Sequence, residues 1–202
     1  MSETATKPAK RGRPRCFQKD KALERALGVF LEHGYEGCSI DNLTDALGIN
    51  RPSLYAAFGN KERLFITVLE KYHRNYIDYF QSLVAEGLPP KETARKWLAF
   101  FIENFESQKQ PLGCLVVNST LLASDSYPEV SKELKSLHNQ NEKLLKDYFQ
   151  SEIEKGRLTG DAASLSQYFN AVVQGMAVLH RTQGNRAALA NIASSAMNAW
   201  PE

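Results

Sequence analysis

No stretch of this 202-residue chain approaches the ~18 consecutive apolar residues that a membrane span requires, so no membrane partner is expected. The N-terminus also lacks the apolar segment of a secretory signal, and the expected setting is soluble and cytoplasmic. Cysteine is scarce and odd in number, with Cys16, Cys38 and Cys114 only, which argues against a disulfide scaffold. In that compartment the glycosylation sequon at Asn118, Ser119 and Thr120 is a coincidence. The four histidines, His33, His73, His138 and His180, share no short ligand spacing with one another or with the cysteines, so neither a metal site nor a cofactor is expected. A Gly-rich phosphate loop, a metal-binding helix motif and a nucleophile elbow are all missing, and an enzyme is not expected.

What is present is 43% hydrophobic residues, enough for a real core, and an uneven charge. Residues 1–65 carry 11 Lys/Arg against 8 Asp/Glu, whereas the remainder carries 14 against 15. The N-terminal third is therefore the electropositive end, where a nucleic-acid footprint would lie. Within it, residues 39–62 are the most informative segment. Ser39 suits an N-cap, and Ile40, Leu43 and Leu47 repeat at helical spacing, so a short helix is predicted from about Ile40 to Leu47. Gly48 stops it, Ile49 plugs the corner, and Asn50 caps a second helix with Pro52 in its first turn. At about 100° per residue, Leu54 and Phe58 share the buried face. Pro52, Ser53 and Ala56 then point outward, flanked by Arg51 and Tyr55, an arrangement suited to base edges and phosphates. Two short helices with a glycine corner also occur in proteins that never meet DNA.

The same residues resemble the signature of the tetracycline-repressor (TetR, AcrR-like) family of bacterial regulators. The likeness is carried by Ala46, Gly48, Ile49, Asn50, Pro52, Leu54, Tyr55, Phe58, Asn60, Lys61, Glu62 and Leu64, in that order. It implies an all-α fold, in which a three-helix DNA-binding domain with a helix-turn-helix spans residues 17–62. A helical-bundle effector-binding and dimerisation domain would follow at 63–202, behind a basic tail at 1–16. It further implies a homodimer on a palindromic operator of double-stranded DNA, acting as a repressor that a small molecule releases. Ser39, Arg51, Pro52, Ser53, Tyr55, Ala56 and Lys61 are the DNA contacts expected on this basis. Two departures keep the operator sequence from being transferable. Ala56 and Ala57 stand where the family often has a bulky aromatic and a histidine, and can only pack on a thymine methyl. Asp41 stands where some members carry a cation, and an acid there would repel phosphate.

Upstream, Lys7, Lys10, Arg11, Arg13 and Arg15 form a basic run with no acid among them. Residues Arg11 to Arg15 resemble an AT-hook core. Pro14 favours an extended chain, Gly12 allows close approach, and Arg11, Arg13 and Arg15 would meet the negative potential of a narrow minor groove. The alternative is a solvated tail adding only non-specific phosphate attraction.

Beyond Leu64 the chain reads as helix after helix. Val68, Tyr72, Tyr76, Phe80 and Leu83 stripe a long helix starting near Asn60, and Trp97, Leu98, Phe101, Ile102 and Phe105 stripe the next. After a breaker at residues 110–113, a short helix is predicted from about Cys114 to Ala123, then a long one from Pro128 toward Gly156. A helix capped by Asp161 and a last one ending at Trp200 carry the small residues Ala171, Gly175, Ala187, Ala190 and Ala193, which permit close approach of a twin. A ligand chamber is expected between these parts. Its candidate walls are Tyr72, Tyr76, Trp97, Phe101 and Phe105, with Asn118, His138, Asn141, Asn170 and Gln174 as polar interruptions. Cys114, at a helix start where the dipole lowers a thiol's pKa, is a candidate redox or electrophile sensor or else a small buried hydrophobe. The effector is unknown, and an architectural protein that prefers A·T-rich DNA and takes no effector is the competing reading.

Overall fold

The computed structural model describes residues 15–107, 112–122 and 126–201, and among these it contains nine helices and no strand. They are α1 (Arg15–Gly37), α2 (Ile40–Leu47), α3 (Arg51–Phe58), α4 (Lys61–Ala85), α5 (Pro90–Glu106), α6 (Leu115–Leu122), α7 (Pro128–Glu154), α8 (Ala162–Gln183) and α9 (Arg186–Asn198). Helix α1 is interrupted at Gly34, where φ is 69°.

Local chemistry explains where the first helices start and stop. Ser39 caps α2 by accepting the Asn42 amide at 3.1 Å, while the Asn42 side chain accepts the Ser39 amide at 2.9 Å, so two orphan donors are satisfied reciprocally. At the other end Gly48 takes the left-handed conformation (φ 67°, ψ 36°). Its amide bonds to the Asp45 carbonyl and that of Ile49 to the Thr44 carbonyl, which closes a Schellman turn that a side chain with a Cβ would strain. The Arg25 guanidinium from α1 adds a donor to the Leu47 carbonyl at 3.4 Å. Asn50 and Asn60 then cap α3 and α4 through the amides of Ser53 and Arg63, at 2.9 and 2.8 Å.

Leu23, Ala26, Phe30 and Leu31 give α1 one apolar stripe, and it meets Leu43, Leu47, Leu54, Leu64 and Phe65, all buried, to form the small N-terminal core. Phe30 and Phe65 pack edge to face with centroids 4.8 Å apart, tying α1 to α4. Truncating Leu54, fully buried and the only buried residue of α3, would cost about 2–5 kcal/mol. Helix α4 then leaves this unit and enters the larger bundle, where it packs on α5 and α7, while α7 packs on α8 and α5 on α9. The centre of the bundle is aromatic. Phe80, Trp97, Phe101 and Tyr148 cluster there, with Tyr76 stacked on Phe101 at 5.2 Å.

Candidate DNA interface and candidate ligand cavity

Helix α3 buries Leu54 and half-buries Phe58, and it exposes Arg51, Pro52, Ser53, Tyr55 and Ala56. That is the face expected from the sequence, on the helix that follows the Gly48 corner. Tyr55 is 47% exposed, which leaves about half of a large aromatic side chain at the surface. Three of the candidate contacts are held by partners. Arg51 Nη2 donates to Asp41 Oδ1 and Oδ2 at 2.7 and 2.8 Å, and its Nε donates to Oδ1 at 3.0 Å, so the acid anticipated as a phosphate repellent grips a recognition-helix arginine. Lys61 turns inward. Its ammonium donates to the carbonyls of Tyr35 and Cys38 at 2.9 and 3.0 Å and lies 4.5 Å from the centroid of the Tyr35 ring. Ser39 is exposed, but its hydroxyl donates to Asn42 Oδ1 at 2.6 Å and accepts the Asn42 amide. Arg11 and Arg13 lie outside the described residues, and Arg15 opens α1.

In the bundle a cavity of about 380 Å³ opens between α4, α5, α6, α7 and α8. Of the residues expected to wall a chamber, Tyr76, Trp97, Phe101, Cys114, His138, Asn141, Asn170 and Gln174 line it. Three do not. Tyr72 lies behind Tyr76, whose hydroxyl donates to that of Tyr72. Phe105 is fully buried against His180, its ring stacked at 5.2 Å, and the Asn118 amide donates to the Leu112 carbonyl at 2.6 Å.

His73, Thr120, Lys135 and Asn139 also line the cavity and were not anticipated. His73 sits one turn before Tyr76 on α4, and its Nε2 lies 2.8 Å from Asn141 Oδ1. Burial lowers its pKa and so favours the neutral ring, partly offset by that hydrogen bond, which acts the other way. Gln174 Nε2 approaches His138 Nδ1 at 3.5 Å. Among the described residues no aspartate or glutamate lines the cavity, and Lys135 is the one lysine or arginine that does.

Cys114 corrects an expectation. A helix start was to lower its pKa, but the thiol is buried and burial raises it, outweighing the hydrogen bonds from the Val117 backbone and Tyr72 that act the other way. The Cys38 thiol is likewise pushed up to about 11 by burial, against the lowering field of Lys61.

This geometry, a capped helix-turn-helix joined by one long helix to a helical bundle with an aromatic cavity, defines a ligand-type helical regulator. The protein belongs to the TetR family. Residues 22–68 match the model for bacterial regulatory proteins of the tetR family, and residues 90–195 match that for the C-terminal domain of LmrA/YxaF-like transcriptional regulators. The HTH-type transcriptional repressor ComR of Escherichia coli (strain K12) is 31% identical over 195 residues, spanning 95% of this chain and 93% of that one. The repressor BdcR of the same organism is 34% identical over 106 residues, 52% of this chain and 54% of that one. Among solved structures, a cysteine mutant of the regulator CifR complexed with 26-bp operator DNA superposes with a TM-score of 0.84 at 34% identity, covering 94% of this chain and all of that one.

Proposed function

We propose that the protein is a repressor, a homodimer that holds a palindromic operator through two copies of α3 and lets go when a small molecule enters the bundle cavity. The observation that carries this reading is the continuity of α4. One 25-residue helix contributes Lys61 and Leu64 beneath the helix-turn-helix, and His73 and Tyr76 to the cavity wall. A ligand that presses on Tyr76 has to shift this helix or overpack it, and a shift there changes the separation of the two recognition helices. The names of ComR and BdcR as repressors and the operator complex of CifR support the same reading. The cavity favours a compact effector with a planar apolar body, uncharged or anionic at its polar end. Trp97, Tyr76 and Phe101 offer aromatic walls, the polar lining is His, Asn, Gln and Thr, and Lys135 meets no carboxylate among the described lining residues.

Dimerisation has a suitable surface. On α8 Tyr168, Ala171, Gly175 and Val178 lie at helical spacing and are all exposed, and a Cβ at Gly175 would meet nothing of this chain within 4 Å.

Filling the cavity tests the mechanism. Val173→Trp, placed in the wall from α8, is expected to bind operator about 5- to 150-fold more weakly, the range of ordinary allosteric coupling, while remaining a folded dimer. Unchanged operator affinity in a folded Val173→Trp dimer would remove the cavity from the mechanism.

A further inference from the structure

We propose that Asp41 is a specificity-determining positioning residue, which aims the far edge of the Arg51 guanidinium at guanine and penalises complexes with the wrong DNA. The inference rests on α3 being the recognition helix.

The starting observation is a pair that stability does not explain. Arg51 and Asp41 keep 60% and 65% of their side chains exposed, and an exposed ion pair contributes little to folding. A carboxylate on a surface that faces phosphates also weakens non-specific attraction, so its presence there has a cost. The geometry shows the return. Arg51 is the first residue of α3, the end of a recognition helix that reaches base edges. Asp41 sits in the first turn of α2, across the Gly48 corner, and takes Nε and Nη2 side-on with three bonds of 2.7 to 3.0 Å. A guanidinium has five N–H donors in a flat fork. With the Nε edge engaged, Nη1 and the outer hydrogen of Nη2 form the remaining two-pronged edge, the one that matches O6 and N7 of guanine. Fixing the plane in advance reduces the side-chain entropy lost on binding, and a phosphate offered in place of guanine is met by the nearby carboxylate.

Asp41 therefore acts through Arg51 and need not touch DNA. The test compares wild type, Asp41→Ala, Asp41→Asn, Arg51→Ala and the Asp41→Ala/Arg51→Ala pair. Each is titrated on the operator, on operators with each G·C pair replaced in turn by A·T, and on random duplex. Wild type should discriminate at one G·C position per half-site. Asp41→Ala should lose about tenfold of that discrimination, at the position where Arg51→Ala also loses it, while its affinity for random duplex rises. The double variant should lose no more than Arg51→Ala alone. Asp41→Asn, which keeps shape and one acceptor, should fall between, and thermal melts of all variants separate these effects from unfolding. Undiminished discrimination in Asp41→Ala overturns the proposal, as does sharper discrimination, which would mean that Asp41 withholds Arg51 from DNA. If wild type shows no preferred palindrome, the repressor reading itself fails. A specific wild type with an indifferent Asp41→Ala sinks only this inference.

Discussion

Lys61 shows how a single side chain changes meaning once its neighbours are known. As a cation in the family's Asn-Lys-Glu segment, it was expected to face phosphate. In the structure its ammonium spends two of three donors on the carbonyls of Tyr35 and Cys38, which ties the start of α4 to the corner between α1 and α2. Lys61→Met, which keeps the apolar stem, should lower the stability of the protein by about 1.5–3 kcal/mol, the usual worth of hydrogen bonds to a charged group. Urea denaturation measures it. A purely phosphate-contacting lysine would instead leave stability untouched and reduce the salt slope of DNA binding by about one. Of the two readings of Cys114, the lowered thiol pKa failed for a related reason, and the buried hydrophobe is the one that fits. The helix dipole is a matter of position along the chain, whereas desolvation depends on what packs over the thiol, and only the second is invisible in sequence.

At the level of elements, the caps were readable because they are local. Ser39, Asn50, Asn60, Asp161 and the Gly48 stop act within four residues of themselves, and α2, α3, α4 and α8 begin within a residue of where these predict. The cavity wall was readable in part. His138 and Asn141 share a face of α7 with Leu134 and Leu145 at spacings of three and four, so these two polar interruptions of an apolar stripe could be read from periodicity. Tyr72, Phe105 and Asn118 did not, since periodicity assigns a face to the interior and cannot say whether a cavity or a neighbouring ring fills it. Contacts between distant segments were also out of reach, and the clasp around Gly113 is the main one. The Gly113 amide donates to His180 Nδ1 at 3.2 Å, and Arg181 Nη1 bridges the carbonyls of Leu31 on α1 and Leu112 before α6, at 3.2 and 3.0 Å. Gly113 has φ 71°, and a Cβ there would lie 2.8 Å from the Ala177 carbonyl, so the segment is held tightly against α8. This clasp joins the helix-turn-helix unit to the cavity region in addition to α4, as do the packing of α1 on α6 and the Tyr35–Tyr127 ring contact. In an Arg181→Met background, the operator-affinity penalty of Val173→Trp should shrink, because one of the links is cut. A double-mutant cycle reads this directly, and an undiminished penalty excludes the clasp from the coupling.

At the scale of the whole molecule, one recognition helix presents too few side chains to select a site in a genome, and two-fold symmetry supplies the second. The account therefore stands on a dimer whose two α3 helices read a palindrome. The exposed stripe on α8 is where an introduced charge should separate the protomers, since burying an unpaired carboxylate in a close helix contact is costly. The most direct measurement is a hydroxyl-radical footprint of the protein on the DNA upstream of its own gene, run beside a folded Val178→Asp variant. A dimer on a palindrome gives two symmetric protected half-sites, with centres about one helical turn (~34 Å) or a multiple of it apart, that are lost when Val178→Asp is monomeric. Broad protection of A·T-rich DNA without dyad symmetry, or an equal footprint from the monomer, would contradict it.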